Sequence, residues 1–434
     1  MSKKREMDSL TRRSFIKKSA LGLGAVSLVG VPALMGRAAP PPIKIGILMD
    51  RTGALYSFGT WGEKSAIAAC QAINASGGIG GRKVEFVSED SATNVQTGLR
   101  KLRKLIQKDG CDFIVGPCNS GISVAAAPIA EQMNTVLFAW GTAQSITGEN
   151  ANKYMFRGIN NTRHSMMALA QVAAKNMGKR YYCLGADYEW GRSAVEEFRR
   201  VFDPLGGEFQ GGEYSPVKTD DFLPYLNKIP TDKVDILVGG YFTGDLLKLA
   251  RQAYQKGLLK KMQIVAGAMP TGLSIEDLGA AAEHIWFTGY FVRRMANVPA
   301  PLKEYNQEYR NAIGMDDDGK SVKDGKVGSA SYCWTPWEHV YWIKQAVEKS
   351  GWQSKDDNPK FIPTLEGMEV KASKGFITGD KFMRAEDHQV FHDQYVVKIE
   401  NGNFALKGTV NSKDLIYKPD VDLTKIKALS LIHI

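Results

Sequence analysis

The stretch IKIGILMDRTGALYSFGTWG, residues 43–62, decides how the rest of the chain is read. Ile43 to Met49 is a short, almost uninterrupted apolar run, as a strand buried on both faces of a parallel sheet requires. The next residues form a loop punctuated by Gly53, Gly59 and Gly62 and carrying Tyr56 and Phe58. A helical pattern follows from Trp61 to Asn74, with Ile67, Cys70 and Ile73 at near-helical spacing, and Gly77-Gly78 stops it.

The same alternation continues outward. Strand candidates are Val84 to Val87, Phe113 to Val115 and Val136 to Ala139, and Leu99, Leu102, Leu105 and Ile106 share one helical face. Strand–helix–strand order at this spacing implies parallel βαβ units. The rhythm restarts with strands near Tyr181, Glu208, Asp235, Gln263 and His284 and a helix from Leu246 to Gln255. Two series imply two α/β lobes. After about residue 295 the pattern weakens; a helix fits His339 to Lys349 and a strand fits Gln394 to Ile399.

With 434 residues the chain has ample material for a core. Its net charge is +10, but eight Lys and Arg in residues 1–38, against Glu6 and Asp8, account for six of the ten. No basic stripe with interleaved aromatics exists, which argues against a nucleic-acid partner. The leader reads as an export signal: TRRSFIK at 11–17, an apolar stretch from Ala20 to Met35, then small residues around Ala38 and Ala39. Sixteen residues are short for a span, which takes about 20. The arginine pair with Phe15, Ile16 and Lys17 resembles a twin-arginine translocation signal. Cleavage near Ala38 with no adjacent cysteine would leave the protein free in the periplasm, the translocase being its partner only during export. Of the five cysteines, Cys111 and Cys118 flank an apparent strand. Seven extended residues span about 23 Å, too far for a disulfide.

Ligands of open parallel sheets bind beyond the carboxyl ends of the strands. There this sequence places Gly116-Pro117-Cys118-Asn119-Ser120 and Ala139-Trp140-Gly141-Thr142-Ala143. Ser120 and Thr142 can serve as ordinary helix caps or present hydroxyls and helix N–H groups to an anion. Two such turns on adjacent strands favour the second use. The later series offers Trp190 in ADYEWG and Tyr241-Phe242 in GGYFTG, large rings placed in loops.

These runs carry a family resemblance. IGILMDRTGALYSFG, INASGGIGGRKVEF, SEDSATN, FIVGP, ADYEWG and DDFLPYL together resemble the leucine/isoleucine/valine-binding type of periplasmic solute receptor, over about residues 43–400. The resemblance implies the type I periplasmic-binding-protein fold: two doubly wound parallel-sheet lobes joined by three crossover strands. It implies lobe 1 at 41–158 plus about 291–365, lobe 2 at 159–290 plus about 366–420, and a tail at 421–434. It also implies a small-molecule ligand, delivery to the permease subunits of an ABC importer, and no cofactor. Position by position, Phe58 matches the ring that caps the ligand, and Ser120 the hydroxyl on its carboxylate. Gly141, Thr142 and Ala143 match a backbone turn at the pocket. Trp190 and Tyr241 or Phe242 match the second-lobe aromatics. The acid that grips an amino-acid ammonium matches Met269, so a standard amino acid loses its usual counter-ion. Asp187 or Asp245 are the candidate substitutes. The expected solute is an apolar or aromatic carboxylate, or a related amide, with an amino acid as one candidate.

Other classes find less support. No G-x-S-x-G elbow or P-loop exists, and GGIGGRK follows a helix rather than a strand. Cys118 has no histidine placed beside it by the sequence. His388 and His392 have metal-ligand spacing only if helical, and their surroundings read as a polar loop. A free periplasmic sensor acting through a membrane partner is the remaining alternative.

Overall fold

A computed structural model describes residues 40–267, 275–289, 298, 300–328 and 332–426. The leader 1–38, Met269 and residues 428–434 lie outside them. The first series is β1 (Ile43–Met49), α1 (Tyr56–Ala75), β2 (Val84–Asp90), α2 (Val95–Arg103), β3 (Phe113–Val115), α3 (Ser120–Gln132), β4 (Val136–Phe138) and β5 (Met155–Phe156). Its strands form one wholly parallel sheet in the order β2-β1-β3-β4-β5. Every residue of β1 except Lys44 is buried, so the run at 43–49 is a core strand, as its composition requires.

The glycines after β1 behave differently from the expectation. Helix α1 begins at Tyr56, ahead of the expected Trp61, so Phe58 and Gly59 are helical rather than loop residues, as Gly62 is. Close packing is the reason. A Cβ on Gly59 would lie 2.2 Å from the Asp50 carbonyl, and one on Gly62 2.2 Å from the Trp140 ring. Both glycines let α1 lie against the ends of β1 and β4.

The second series is α4 (Thr162–Asn176), β6 (Arg180–Ala186), α5 (Glu189–Phe202), β7 (Glu208–Ser215), α6 (Leu223–Leu226), β8 (Ile236–Gly240), α7 (Thr243–Gln255), β9 (Gln263–Ala266), α8 (Ile275–Leu278) and β10 (Ile285–Thr288). The chain then returns to the first sheet with α9 (Leu302–Ile313), α10 (Thr335–Ser350) and α11 (Asn358–Leu365). Tyr309 on α9 shares a buried hydroxyl contact with Ser65 on α1, 2.7 Å long. A small antiparallel sheet follows: β11 (Glu369–Val370), β12 (Lys381–Met383) and β13 (Val390–Phe391). Finally β14 (Gln394–Glu400) and β15 (Asn403–Val410) add antiparallel strands to the second sheet, ordered β15-β14-β10-β9-β8-β6-β7. The two parallel α/β sheets are the expected architecture.

Residues 369–391, expected in the second lobe, lie against α10. Trp337 donates to the Lys374 carbonyl at 3.0 Å, Trp342 meets Phe376 edge-on, and the wholly buried Glu338–Lys381 pair lies at 3.3 Å. The small sheet covers a helix face that would otherwise be bare, and the chain joins the second sheet only at Gln394. Two passages between the sheets lie side by side: Arg157 pairs with Gln389, with backbone bonds of 3.0 Å to His388 and Val390. The third expected passage, near 291, lies outside the described residues. His388 and His392 belong to this region and are buried, not part of a polar surface loop. The His388 ring stacks on Phe156 and contacts the Met155 carbonyl and Glu366, each at 3.0 Å. The two histidines lie on no helix, so they lack a shared helical face.

His339, on α10, is wholly buried against Phe138, and burial pushes its imidazole down to about 3. An unfolded chain takes up this proton below about pH 6.5, and the folded one refuses it. Stability is therefore full above pH 6.5 and falls as pH drops toward 3, by up to about 1.4 kcal/mol per pH unit for this group. His164 and His392 shift in the same direction through burial. Replacing His339→Leu is expected to flatten the fall in urea midpoint between pH 7 and pH 5 relative to the wild type.

Candidate ligand-binding site

A cleft opens where the carboxyl ends of β1, β3 and β4 face those of β6, β8 and β9. Besides Tyr332, five rings wall it: Phe58 and Trp140 from the first lobe, and Tyr188, Trp190 and Phe242 from the second. They form one connected cluster. Phe58 meets Trp140 at 6.3 Å between centroids and Phe242 at 6.1 Å, the latter across the cleft. Phe242 in turn meets Tyr188 at 5.8 Å and Trp190 at 6.1 Å. Between the rings, Ser120, Thr142, Asn160, Thr162, Ser165 and Tyr332 supply hydroxyl and amide groups.

The polar wall is built from Asp50, at the end of β1. Its carboxylate is wholly buried and accepts from Ser91 Oγ at 2.5 Å and from the backbone N–H groups of Cys118 and Asn119 at 3.0 Å. Burial raises its pKa, against the pull of those three donors. The carboxylate fixes the turn that opens α3. The helix cap there is Asn119, whose side chain accepts from Ile122 N–H at 3.0 Å. Ser120 is therefore not the cap; its hydroxyl accepts from Ala143 N–H at 3.2 Å and ties the two turns together. Thr142 caps no α-helix either, because only a single 3₁₀ turn, Gln144–Ile146, follows it. Of the two helix N-termini expected at this point, one is present.

The other expected residues divide clearly. Phe58, Ser120, Thr142, Trp190 and Phe242 line the cleft. Gly141 and Ala143 stand behind it: a Cβ on Gly141 would lie 2.9 Å from Ser120 Cα, and the Ala143 carbonyl accepts from the Arg157 guanidinium. Tyr241 turns into the second lobe, its hydroxyl 3.0 Å from Ser215 and its ring edge-on to Phe222. Successive residues of an extended segment point to opposite faces, so Phe242 takes the cleft. Met269 lies outside the described residues.

Neither substitute acid reaches the cleft. Asp187 pairs with Arg192 at 2.5 Å, both half exposed. Asp245 accepts from Lys218 N–H at 2.9 Å. Among the described residues no charged side chain lines the cleft. Cys118 does line it, but burial, with Asp50 nearby, pushes its thiol up, opposite to an activated nucleophile. All five thiols are free, so Cys111 and Cys118 form no bridge.

Asp50, Trp140 and Tyr188 carry no motif of their own, although each lies within two residues of a strand's carboxyl end. Asp50 directly follows the first strand, which is the signal that could have found it. Asn160 and Tyr332 come from connecting segments, and Thr162 and Ser165 from the first turn of α4, so no strand end in the sequence marked them.

Comparison with known proteins gives a consistent picture. A family described as periplasmic binding protein matches residues 42–403. Leu/Ile/Val-binding protein homolog 3 of Brucella melitensis is 22% identical over 365 residues, covering 82% of this chain and 93% of that protein. A periplasmic binding protein of Burkholderia mallei aligns with a TM-score of 0.74 at 20% identity, over 89% of this chain and 99% of its own. A solute-binding protein of an R. palustris ABC transporter, solved with 4-hydroxybenzoate, aligns with a TM-score of 0.72 at 19% identity, over 89% and 100%. At such identities the structural likeness speaks to the fold.

The close approach of α1 to the cleft wall can be tested through Gly62. Gly62→Ala must displace the Trp140 ring, and overpacking of this kind costs about 1–3 kcal/mol. Urea unfolding followed by tryptophan fluorescence should show that loss together with an altered native spectrum. Gly244→Ala, where a Cβ meets nothing within 4 Å, should leave both nearly unchanged.

Proposed function

The chain belongs to the periplasmic binding protein family, and on that premise we propose that it is the solute-binding component of an ABC importer for a small apolar or aromatic carboxylate or related amide. The neutrality of the cleft carries this reading. Six rings, two of them tyrosines, and five further hydroxyl or amide side chains line it, and no charged side chain does among the described residues. An α-amino acid would bring an ammonium into this site, and burying it without a carboxylate is costly. A carboxylate has partners: the Ser120 and Thr142 hydroxyls and the free N–H groups at the start of α3, a thirteen-residue helix. The R. palustris neighbour with 4-hydroxybenzoate supports a ring in such a cleft, and the Leu/Ile/Val-binding relative keeps aliphatic solutes in the comparison.

The proposed cycle starts with export of the chain by the twin-arginine route, cleavage near Ala38 and release into the periplasm. Lobe 1 then comprises 41–158 with about 291–391, and lobe 2 comprises 159–290 with about 392–420. Phe58 and Phe242 touch across the cleft, so a flat solute enters only when the lobes part, and it favours the closed form by contacting both. The importer permease reads the closed surface. Loss of uptake on deletion, with the sensing response intact, separates this role from that of a free sensor.

Thermal shift tests the solute class. Benzoate or 4-hydroxybenzoate at 100 times Kd should add about 2.7 kcal/mol of stability. Stabilisation by leucine or valine with none from the aromatic acids overturns the solute assignment. Thr142→Val removes one hydroxyl at constant shape, and a hydrogen bond to a charged group is worth about 1.5–3 kcal/mol. Benzoate affinity measured by calorimetry should fall roughly ten- to hundredfold.

A further inference from the structure

The family match ends at residue 403, yet the chain continues in ordered contact through 426. From β15 of the second sheet it turns at Ser412, whose N–H donates to Asp393 at 2.8 Å, and buries Leu415. It then runs along the side of the cleft. The Tyr417 hydroxyl accepts from Asn161 Nδ2 at 2.5 Å and from Gln144 Nε2 at 3.3 Å. Its ring lies under the guanidinium groups of Arg163 and Arg384, at 4.5 and 4.6 Å. The Asp420 carboxylate accepts from Arg163 at 3.2 Å and from Gln144 Nε2 at 3.2 Å. Leu423 is buried, and its N–H donates to the Glu386 carbonyl at 2.7 Å.

Gln144 follows β4 of the first sheet, whereas Arg163 lies on α4, which packs against the second. One carboxylate thus holds both lobes. Direct contacts between the lobes lie beside it: Gln144 N–H donates to Ser193 Oγ at 3.0 Å, and Ser145 Oγ bonds Glu189. Ser193 and Glu189 are on α5, the helix that carries Trp190 into the cleft. Bonds that exist only while Gln144 sits beside Arg163 favour the arrangement in which they form.

We propose that residues 411–426 are a clasp, in which Tyr417 and Asp420 act as positioning residues: they bind both lobes, favour the closed arrangement, and so raise solute affinity without touching the solute. The proposal rests on the closure described under the proposed function, and its test includes arms that need no solute.

The full chain carrying Tyr417→Phe and Asp420→Ala loses the shared polar contacts and keeps the ring in place. Without solute its radius of gyration in small-angle scattering should exceed that of the wild type. Benzoate affinity should fall roughly tenfold as the competent population shrinks. A second variant works in the opposite direction. An ideal Cβ on Gly148 lies 3.4 Å from the Asp420 carboxylate, so Gly148→Cys with Asp420→Cys places two thiols within bridging reach. Its oxidised form should be compact, and its reduced form should expand. Identical scattering from the wild type, the polar variant and both redox forms overturns the clasp. Failure of benzoate to bind the wild type overturns the solute assignment instead, and leaves the scattering comparison to decide the clasp.

Discussion

A single buried carboxylate, Asp50, sets the geometry on which the cleft depends. It ends the first strand and receives the backbone of the turn that starts α3. That turn places Ser120, and Ser120 receives the N–H of Ala143. The Ala143 carbonyl in turn receives Arg157, which also donates to Gln389 at 2.6 Å and to Thr147. Arg157 and Gln389 stand on the two described passages between the sheets. A continuous series of hydrogen bonds therefore joins the first strand, the polar wall of the cleft and the hinge.

The electrostatics of that series are unusual. Arg157 is wholly buried and, among the described residues, bonds neutral oxygens, whereas Arg163 bonds Glu197 and Arg384 bonds Asp387. Burial lowers the pKa of Arg157 to about 10, which still leaves it charged at neutral pH. A buried guanidinium is tolerated when its donors are satisfied. Here the acceptors are a pocket turn and a crossover strand, so the satisfaction of one side chain fixes the position of both.

Much of this fold was legible because it rests on local patterns. The strand at 43–49 has its read bounds, as does Phe113 to Val115, since short runs between glycines and polar turns leave little choice of register. Cleft rings at Phe58, Trp190 and Phe242 were legible because large aromatics beyond strand ends are poorly explained as core. What failed was long-range. Gly59 and Gly62 resemble loop punctuation until the partners they approach, Asp50 and Trp140, are known. Tyr241 and Phe242 are interchangeable by type, and only the strand's facing separates them. The contact of the small sheet at 369–391 with α10 is set by tertiary packing, which sequence distance does not show.

Under the proposed function, the aromatic walls and the polar wall contribute differently to selectivity. Phe58, Phe242, Tyr188 and Trp190 already contact one another at edge-on or tilted angles. A flat solute that parts Phe58 from Phe242 replaces one ring contact by two, and aromatic pairs are worth about 0.5–1.5 kcal/mol each beyond area. Ring contacts therefore reward many flat solutes about equally. Discrimination falls to the polar end, where a group that leaves Ser120, Thr142 or the α3 N–H groups unpaired forfeits more than a misplaced ring does. In the proposed role, charge at that end is the decisive property: the cleft offers hydroxyls and helix N–H groups, which complement an anion, and it offers an ammonium no carboxylate among the described residues.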